Sequence, residues 1–227
     1  MRRFTILPEV DSTSSWVSAR LGALRPWHTV RARLQTAGRG RLKRTWFSGK
    51  PDHNLAFSMV VPVSKIQPGV ISARVGLALC QVLCRYADVK VRWPNDIVSQ
   101  GQKLAGVLVT LNVSYPHVAV VGIGVNVNNE DFPPELTGVA TSLALATGKH
   151  TRINRLWLQI WKEVRAMLGE TLPVIDQNFI RRYNSVAWPF VKRSEIAEAP
   201  LQFQSLLEDG RALCLAPEGP VTLDMAP

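Results

Sequence analysis

The 227-residue chain has only three cysteines, no apolar run near the roughly 18 residues that a membrane-spanning helix needs, and neither Asp nor Glu between residues 12 and 51. An odd, loosely spaced set of cysteines argues against a disulfide framework. Cys80 and Cys84, one helical turn apart inside an apolar segment, read as structural thiols rather than metal ligands. None of His28, His53, His117 and His150 has another His or Cys at ligand spacing, so no zinc site is expected. The start, Met1-Arg2-Arg3-Phe4-Thr5, is followed by no signal-peptide core. These absences lead to the expectation of a soluble, cytoplasmic globular protein. At 46% hydrophobic content it can bury a core as one large domain, alone or with a small appendage.

The missing acids matter because of what replaces them. Residues 12–51 hold nine Lys and Arg (Arg20, Arg25, Arg31, Arg33, Arg39, Arg41, Lys43, Arg44 and Lys50), which leaves 18 cations against 17 acids elsewhere, so nearly the whole net charge of +10 sits here. At its centre runs Gln35-Thr36-Ala37-Gly38-Arg39-Gly40-Arg41-Leu42-Lys43-Arg44-Thr45-Trp46. Glycine lets backbone amides approach a ligand closely, and guanidinium forks grip phosphate or carboxylate oxygens in pairs. The segment therefore reads as an anion-binding loop. Two other readings stand beside this one: a solvated basic loop, and an Arg-Gly nucleic-acid tail. The alternating apolar runs Thr29–Leu34 and Asn54–Val61 on either side favour a loop held at one edge of a folded sheet over a disordered tail.

The chain opens with a short strand, Arg3–Leu7, after which Asp11, Ser12 or Thr13 can cap a helix beginning at Ser14. Capping alone explains these hydroxyls; contact with a ligand on the helix N-terminus is the alternative. Val70–Tyr86 reads as a core helix, apolar nearly all round, with Arg74, Gln81 and Arg85 on one stripe. Three β segments follow, Val89–Trp93, Lys103–Asn112 and His117–Asn128, with turns at Gln100-Gly101 and Ser114-Tyr115-Pro116 that make adjacent antiparallel strands. The spacing predicts an amphipathic helix over Arg152–Leu168 and a short one over Asp176–Tyr183. Beyond a boundary near Asn184, turn signals at Glu208-Asp209-Gly210 and Pro217-Glu218-Gly219 indicate a small β module, giving domains 1–184 and 185–227.

Three further segments can carry chemistry. In Arg92-Trp93-Pro94-Asn95-Asp96 the proline ends a strand and lets Asn95 and Asp96 project from its terminus. Lys103-Leu104-Ala105-Gly106 starts a strand with one cation and then a glycine that leaves space above the sheet. Gly122-Ile123-Gly124-Val125-Asn126-Val127-Asn128 places glycines and asparagines in an otherwise buried strand. Each has a plain explanation too: a turn, a solvated strand end, close packing. The Gly-x-Gly is no dinucleotide fingerprint, because the third glycine and the following helix are missing.

Taken together and in order, the Asp11-Ser12-Thr13 segment, the Gln35–Arg41 loop, Trp46, Arg92–Asp96, Lys103–Gly106 and Gly122–Asn126 resemble the biotin protein ligases. The resemblance implies an α+β fold: a mixed, largely antiparallel sheet flanked by helices, related to class II aminoacyl-tRNA synthetases, followed by a small SH3-like β module. It also implies two reactions. Biotin and MgATP give biotinyl-5′-AMP and pyrophosphate; a lysine of the biotin carboxyl carrier protein of a biotin-dependent carboxylase such as acetyl-CoA carboxylase then takes the biotinyl group. By the same resemblance Lys103, Arg39, Arg41 and Asp96 are catalytic, with Asp96 either orienting Lys103 or assisting Mg²⁺. Ser12, Thr13, Gln35, Gly38, Arg39, Lys103 and Gly106 would meet biotin, and Gly38, Arg39, Gly40, Arg41, Arg44, Trp46, Asn95 and Asn126 the nucleotide. No winged-helix segment precedes Arg3, so a monofunctional enzyme that binds no DNA, a monomer or weak homodimer, is expected. The sequence departs from the family's pattern at Ser14, where Asn is common, and at Leu42-Lys43, where Arg-Gly is common. The rival functions are a lipoate ligase of the same superfamily and a basic nucleic-acid-binding module.

Overall fold

The computed structural model describes residues 3–63, 67–169, 174–191 and 200–225. In chain order the elements are β1 (Phe4–Val10), α1 (Thr13–Ser18), β2 (Thr29–Gln35), β3 (Gly38–Arg39), β4 (Thr45–Trp46), β5 (Asn54–Pro62), α2 (Pro68–Leu83), β6 (Lys90–Arg92), β7 (Asp96–Ser99), β8 (Gln102–Leu111), β9 (Val118–Asn126), α3 (Leu143–Thr147), α4 (Ile153–Leu168), α5 (Gln177–Ser185), β10 (Phe190–Val191), β11 (Leu201–Leu206), β12 (Ala212–Ala216) and β13 (Gly219–Leu223). A seven-stranded sheet runs β1-β2-β5-β9-β8-β7-β6. Only β1 and β2 pair in parallel; every other neighbouring pair is antiparallel. The mixed, largely antiparallel sheet with flanking helices is thus present, and β10-β11-β12-β13 form a small antiparallel sheet after it.

The two faces of the large sheet follow from strand alternation. In β5, Leu55, Phe57, Met59 and Val61 join the main apolar cluster with α2 and α4, while Val60 faces the other way with Val17 and Leu21 from the α1 side. β9 continues the split: Val121, Ile123 and Val125 enter the main cluster, and Val120 the smaller one. Each fully buried aliphatic or aromatic side chain of this kind is worth about 1.5–3 kcal/mol relative to exposure. α2 is apolar all round because it is covered nearly all round; of its polar stripe, Arg74 is buried, Gln81 half-buried and Arg85 exposed. Buried Arg74 donates to the carbonyls of Met167 (3.2 Å) and Val174 (2.7 Å) and lies over the Phe179 ring. The small sheet shares this cluster through Leu201, Leu206, Ala212 and Cys214. At the expected boundary, Asn184 donates to Ser205 Oγ (2.9 Å) and accepts from the Leu206 amide (3.0 Å). Residues 192–199, part of the tail expected as a β module, lie outside the described residues.

Four features differ from the sequence reading. The basic loop is not at a sheet edge: β2 and β5 are hydrogen-bonded neighbours inside the sheet, so the loop between them starts at the strand ends and folds back over a face. Within it, β3 and β4 make a two-residue hairpin, Gly38 opposite Trp46 and Arg39 opposite Thr45, too short to leave a periodic signal. After Pro94 the chain turns at once into β7, which pairs with β6 and β8 and buries Ile97 and Val98. Finally, α3 is a short helix capped by Ser142, whose hydroxyl accepts from the Leu145 amide (3.1 Å).

Candidate functional site

The glycines of β9 define the site. On the α1 face of the sheet, Gly122 and Gly124 leave a trough where side chains would otherwise stand. A Cβ at Gly124 would lie 2.5 Å from Cε2 of Trp46, and one at Gly122 would lie 2.5 Å from Ser14 Oγ. The backbone must therefore be bare here for the loop and the α1 N-terminus to come down onto the sheet. The resulting cleft is lined by Ser12, Thr13, Gln35, Arg39, Gly40, Arg41, Trp46, Asn95, Lys103 and Gly106 from the expected site, together with Ser14, Val107, Leu108 and the β9 glycines. Residues from Ser12 to Gly124 thus face one space.

Three groups hold this lining. Ser12 caps α1, accepting from the Ser15 amide. Next to it, the Gln35 side-chain oxygen accepts from both the Thr13 amide (2.8 Å) and the Thr13 hydroxyl (3.0 Å), which ties the end of β2 to the start of the helix. Thr13 and Ser14 both meet the hydroxyl of Ser58, at 2.9 and 3.1 Å. Ser58 is fully buried and was not among the expected site residues; its signal is a lone hydroxyl on the even, inward face of an otherwise apolar strand.

The second group is ionic. Lys103 Nζ lies 2.6 Å from Asp96 Oδ1, and Arg92 Nη2 lies 3.1 Å from Asp96 Oδ2. One carboxylate therefore sits between two cations, behind the cleft rather than in its lining. Arg92 belongs to the quoted motif but had no expected role; the i,i+4 pairing across the Pro94 turn supplies one. The Lys103 backbone is fixed as well, donating to Val139 O (2.8 Å) and accepting from the Thr141 amide (2.9 Å). Asn126, expected at the nucleotide, is instead buried and donates to Thr141 O (3.0 Å) and Lys103 O (3.4 Å), so it clamps this backbone from below. Among the described residues no cluster of three or more His, Cys, Asp or Glu side chains could hold a metal ion.

The third group is the loop. Its first residues hang on the end of β1 through Thr36 N to Val10 O and Ala37 N to Asp11 O, both 2.9 Å. Gly38 is buried under Trp46, where a Cβ would meet the Trp46 carbonyl oxygen at 2.6 Å. The tip is closed by Gly40 N to Arg44 O (2.7 Å). Arg44 contributes that carbonyl and is itself exposed, outside the cleft lining. Arg41 reaches across to Asn95, Nη1 to Oδ1 at 3.4 Å, and Asn95 is secured to Val107 O (2.9 Å). The indole of Trp46 lies over the sheet, 3.2 Å from a Cβ built at Gly106, with Lys103 Nζ 5.6 Å from its ring centre. It fills most of the trough: about 50 Å³ remains, against the roughly 300–1,000 Å³ of small-molecule sites. Loop and indole must move for a ligand to bind. A larger groove of about 780 Å³ lies on the other face of the sheet and contains none of the expected residues.

The chain is 36% identical over 130 residues to the bifunctional ligase/repressor BirA of Bacillus subtilis, covering 53% of this chain and 39% of that protein. It is 32% identical over 177 residues to the biotin–[acetyl-CoA-carboxylase] ligase of Mycobacterium tuberculosis, covering 74% and 64%. The chain spans about two fifths to one half of the bifunctional relatives it matches, 39–52% of their length. Among solved structures, the biotin protein ligase from Aquifex aeolicus in complex with biotin and ATP superposes with a TM-score of 0.83 at 26% identity, over 98% of this chain and 96% of that one. Residues 8–128, which carry the α1 cap, the loop, the Asp96–Lys103 pair and both trough glycines, match the model of one family, and the chain belongs to it: the biotin/lipoate A/B protein ligases.

Proposed function

We infer that the protein is a biotin protein ligase, which joins biotin to ATP as biotinyl-5′-AMP and then passes the biotinyl group to a lysine of a biotin carboxyl carrier protein. The observation that carries this reading is the convergence of Lys103, the Arg39–Arg41 loop and the Ser12–Thr13–Gln35 cluster on one trough. The family also includes lipoate ligases, but the named relatives and the superposed structure are biotin enzymes.

The first step brings two anions together. An oxygen of the biotin carboxylate attacks the α-phosphorus of ATP, a new O–P bond forms, and the bond to the β-phosphate oxygen breaks to release pyrophosphate. Two unit charges about 4 Å apart near a protein surface repel by about 4 kcal/mol. Lys103 at the junction and Arg39 and Arg41 on the loop offset this repulsion. Their effect is greatest as charge builds on the leaving oxygen, because they are placed before the reaction starts. Asp96 orients Lys103, and Arg92 holds the second oxygen of Asp96. Mg²⁺ would arrive with ATP and be held mainly by its phosphates; Asp96, with both oxygens already paired to Lys103 and Arg92 behind the cleft, serves to orient Lys103. The hydroxyls of Thr13, Ser14 and Ser58 with Gln35 form a polar end that suits a cyclic urea able to donate and accept. In the second step the carrier's lysine amine attacks the acyl carbon, the amide forms, and AMP leaves. Residues 1–184 form the catalytic unit in this reading, and 185–227 a small β unit beside it.

The test is ATP–pyrophosphate exchange with no carrier present. Exchange that depends on biotin is expected; exchange supported by lipoate alone, or by neither acid, contradicts the reading.

A further inference from the structure

On the sheet face opposite the trough, Arg31 stands in β2 directly across from Phe57, at the edge of the main apolar cluster. It is 3% exposed. Its Nη2 donates to Asp52 Oδ1 and its Nη1 to Asn154 Oδ1, both at 2.6 Å, and its Nε has no partner. Burial lowers its pKa from the ordinary arginine value, and Asp52 opposes that shift. Asp52 does not neutralise Arg31 alone, since its other oxygen serves Arg33.

Arg31 forms part of the wall of the 780 Å³ groove, where it is joined by Arg152, Arg155 and Lys162. Asp52 is the only carboxylate in that lining. Among the described residues Arg152, Arg155 and Lys162 have no ion-pair partner, and all are exposed. The groove also receives the start of α4, whose first turn has no acidic residue and whose N-cap, Arg152, makes no side-chain cap. Backbone amides at such a start are donors for an anion. Its floor is held by Asn128 and Thr151, which exchange hydrogen bonds at 2.8 and 3.1 Å. Trp157 beneath Arg31 is buried and offers no exposed ring for a base to stack on, which sets the groove apart from a single-strand nucleic-acid channel.

We propose that this groove is a second anion site, separate from the trough, that takes a small phosphate-bearing molecule. Its volume lies within the roughly 300–1,000 Å³ range of small-molecule sites. Guanidinium forks and helix-start amides match phosphate oxygens better than isolated carboxylates. Asp52 connects the site to the loop. It closes the segment after Trp46, its amide donates to Arg33 O (2.9 Å), and its carboxylate is what an incoming phosphate would displace from Arg31.

The experiment is a titration of ¹⁵N-labelled protein with pyrophosphate, AMP or citrate at constant ionic strength, following backbone amides. The amides of Asn154 and Arg155 should shift saturably with pyrophosphate or AMP, with movement at Asp52 as well. In the Arg152→Ala/Arg155→Ala variant, the apparent Kd at these amides should rise at least tenfold while the shifts of Gly38–Arg41, reporting the trough, stay as in wild type. The stronger of the two phosphate ligands identifies the source, an inorganic product or a nucleotide. Shifts confined to Gly38–Arg41, shifts equal in the variant, or citrate binding as tightly as both phosphate ligands would overturn the proposal. The measurement involves no turnover, so it stands or falls independently of the ligase reaction.

Discussion

The strand-borne and loop-borne parts of the trough are held very differently. Lys103 and Asp96 come from adjacent strands and Asn95 from the tight turn that leads into β7, and each is fixed twice: Lys103 through Asp96 and through its own backbone, Asp96 between Lys103 and Arg92, Asn95 through two bonds to the Val107 backbone. Arg39, Gly40, Arg41 and Trp46 instead depend on a two-residue hairpin, one turn and the fit of an indole over glycines. Under the proposed function, the chemistry would rest on firmly held groups and coverage on a segment with few bonds to break, which suits a site that opens for substrate and closes over a reactive product.

The most damaging change should be on the strand side. In the proposed reaction Lys103→Ala would remove the cation from the acyl–phosphate junction, and it leaves Asp96 with Arg92 alone. The loss is about 1.5–3 kcal/mol of transition-state stabilisation, roughly ten- to hundredfold in biotin-dependent exchange. Activity within about twofold of wild type would take Lys103 out of the reaction. The contact between the two parts comes next. Gly124→Ala puts a methyl group where the Trp46 indole lies, and overpacking of this kind costs about 1–3 kcal/mol. A lower melting temperature and altered tryptophan emission are expected; unchanged emission would mean that the indole does not rest on β9. The smallest effect lies within the loop. Leu42 and Lys43 both have positive φ, 54° and 59°. A left-handed non-glycine residue costs roughly 1–2 kcal/mol, which the greater unfolded-state freedom of glycine, about 0.5–1 kcal/mol, partly cancels. Lys43→Gly should therefore raise stability by at most about 1.5 kcal/mol. Destabilisation by more than that, measured by urea unfolding, would show that the tip does not adopt this conformation.

The same division explains what the sequence reveals. α2, α4, α5 and the long strands leave periodic patterns over many residues, and the structure has them close to the expected limits. The site motifs stand out because glycine, arginine and asparagine are out of place in apolar strands. What stays hidden depends on contacts between distant segments. Asn126 looks like a ligand residue, yet it binds Thr141 and the Lys103 carbonyl because the chain after β9 returns alongside Lys103. Ser58 looks like an ordinary strand residue, but β5 places it under the α1 N-terminus. The double φ reversal at Leu42-Lys43 matches a place where the family pattern carries glycine, so that departure has a backbone meaning that composition alone does not supply.

Arg41 separates the two parts most directly, because its side chain reaches from the loop to Asn95 in the turn before β7. Arg41→Gly should leave Lys103, Asp96 and Arg39 in place while loosening the cover, so biotinyl-5′-AMP still forms but escapes. Incubating wild type and variant with biotin, MgATP and serum albumin, then measuring both pyrophosphate exchange and streptavidin-detected albumin labelling, separates the two roles. Exchange within about tenfold of wild type is expected, at or below the low end of what one charge-assisted contact is worth, together with albumin labelling clearly above wild type. Exchange reduced by as much as in Lys103→Ala, or albumin labelled no more than by wild type, would contradict this division of roles.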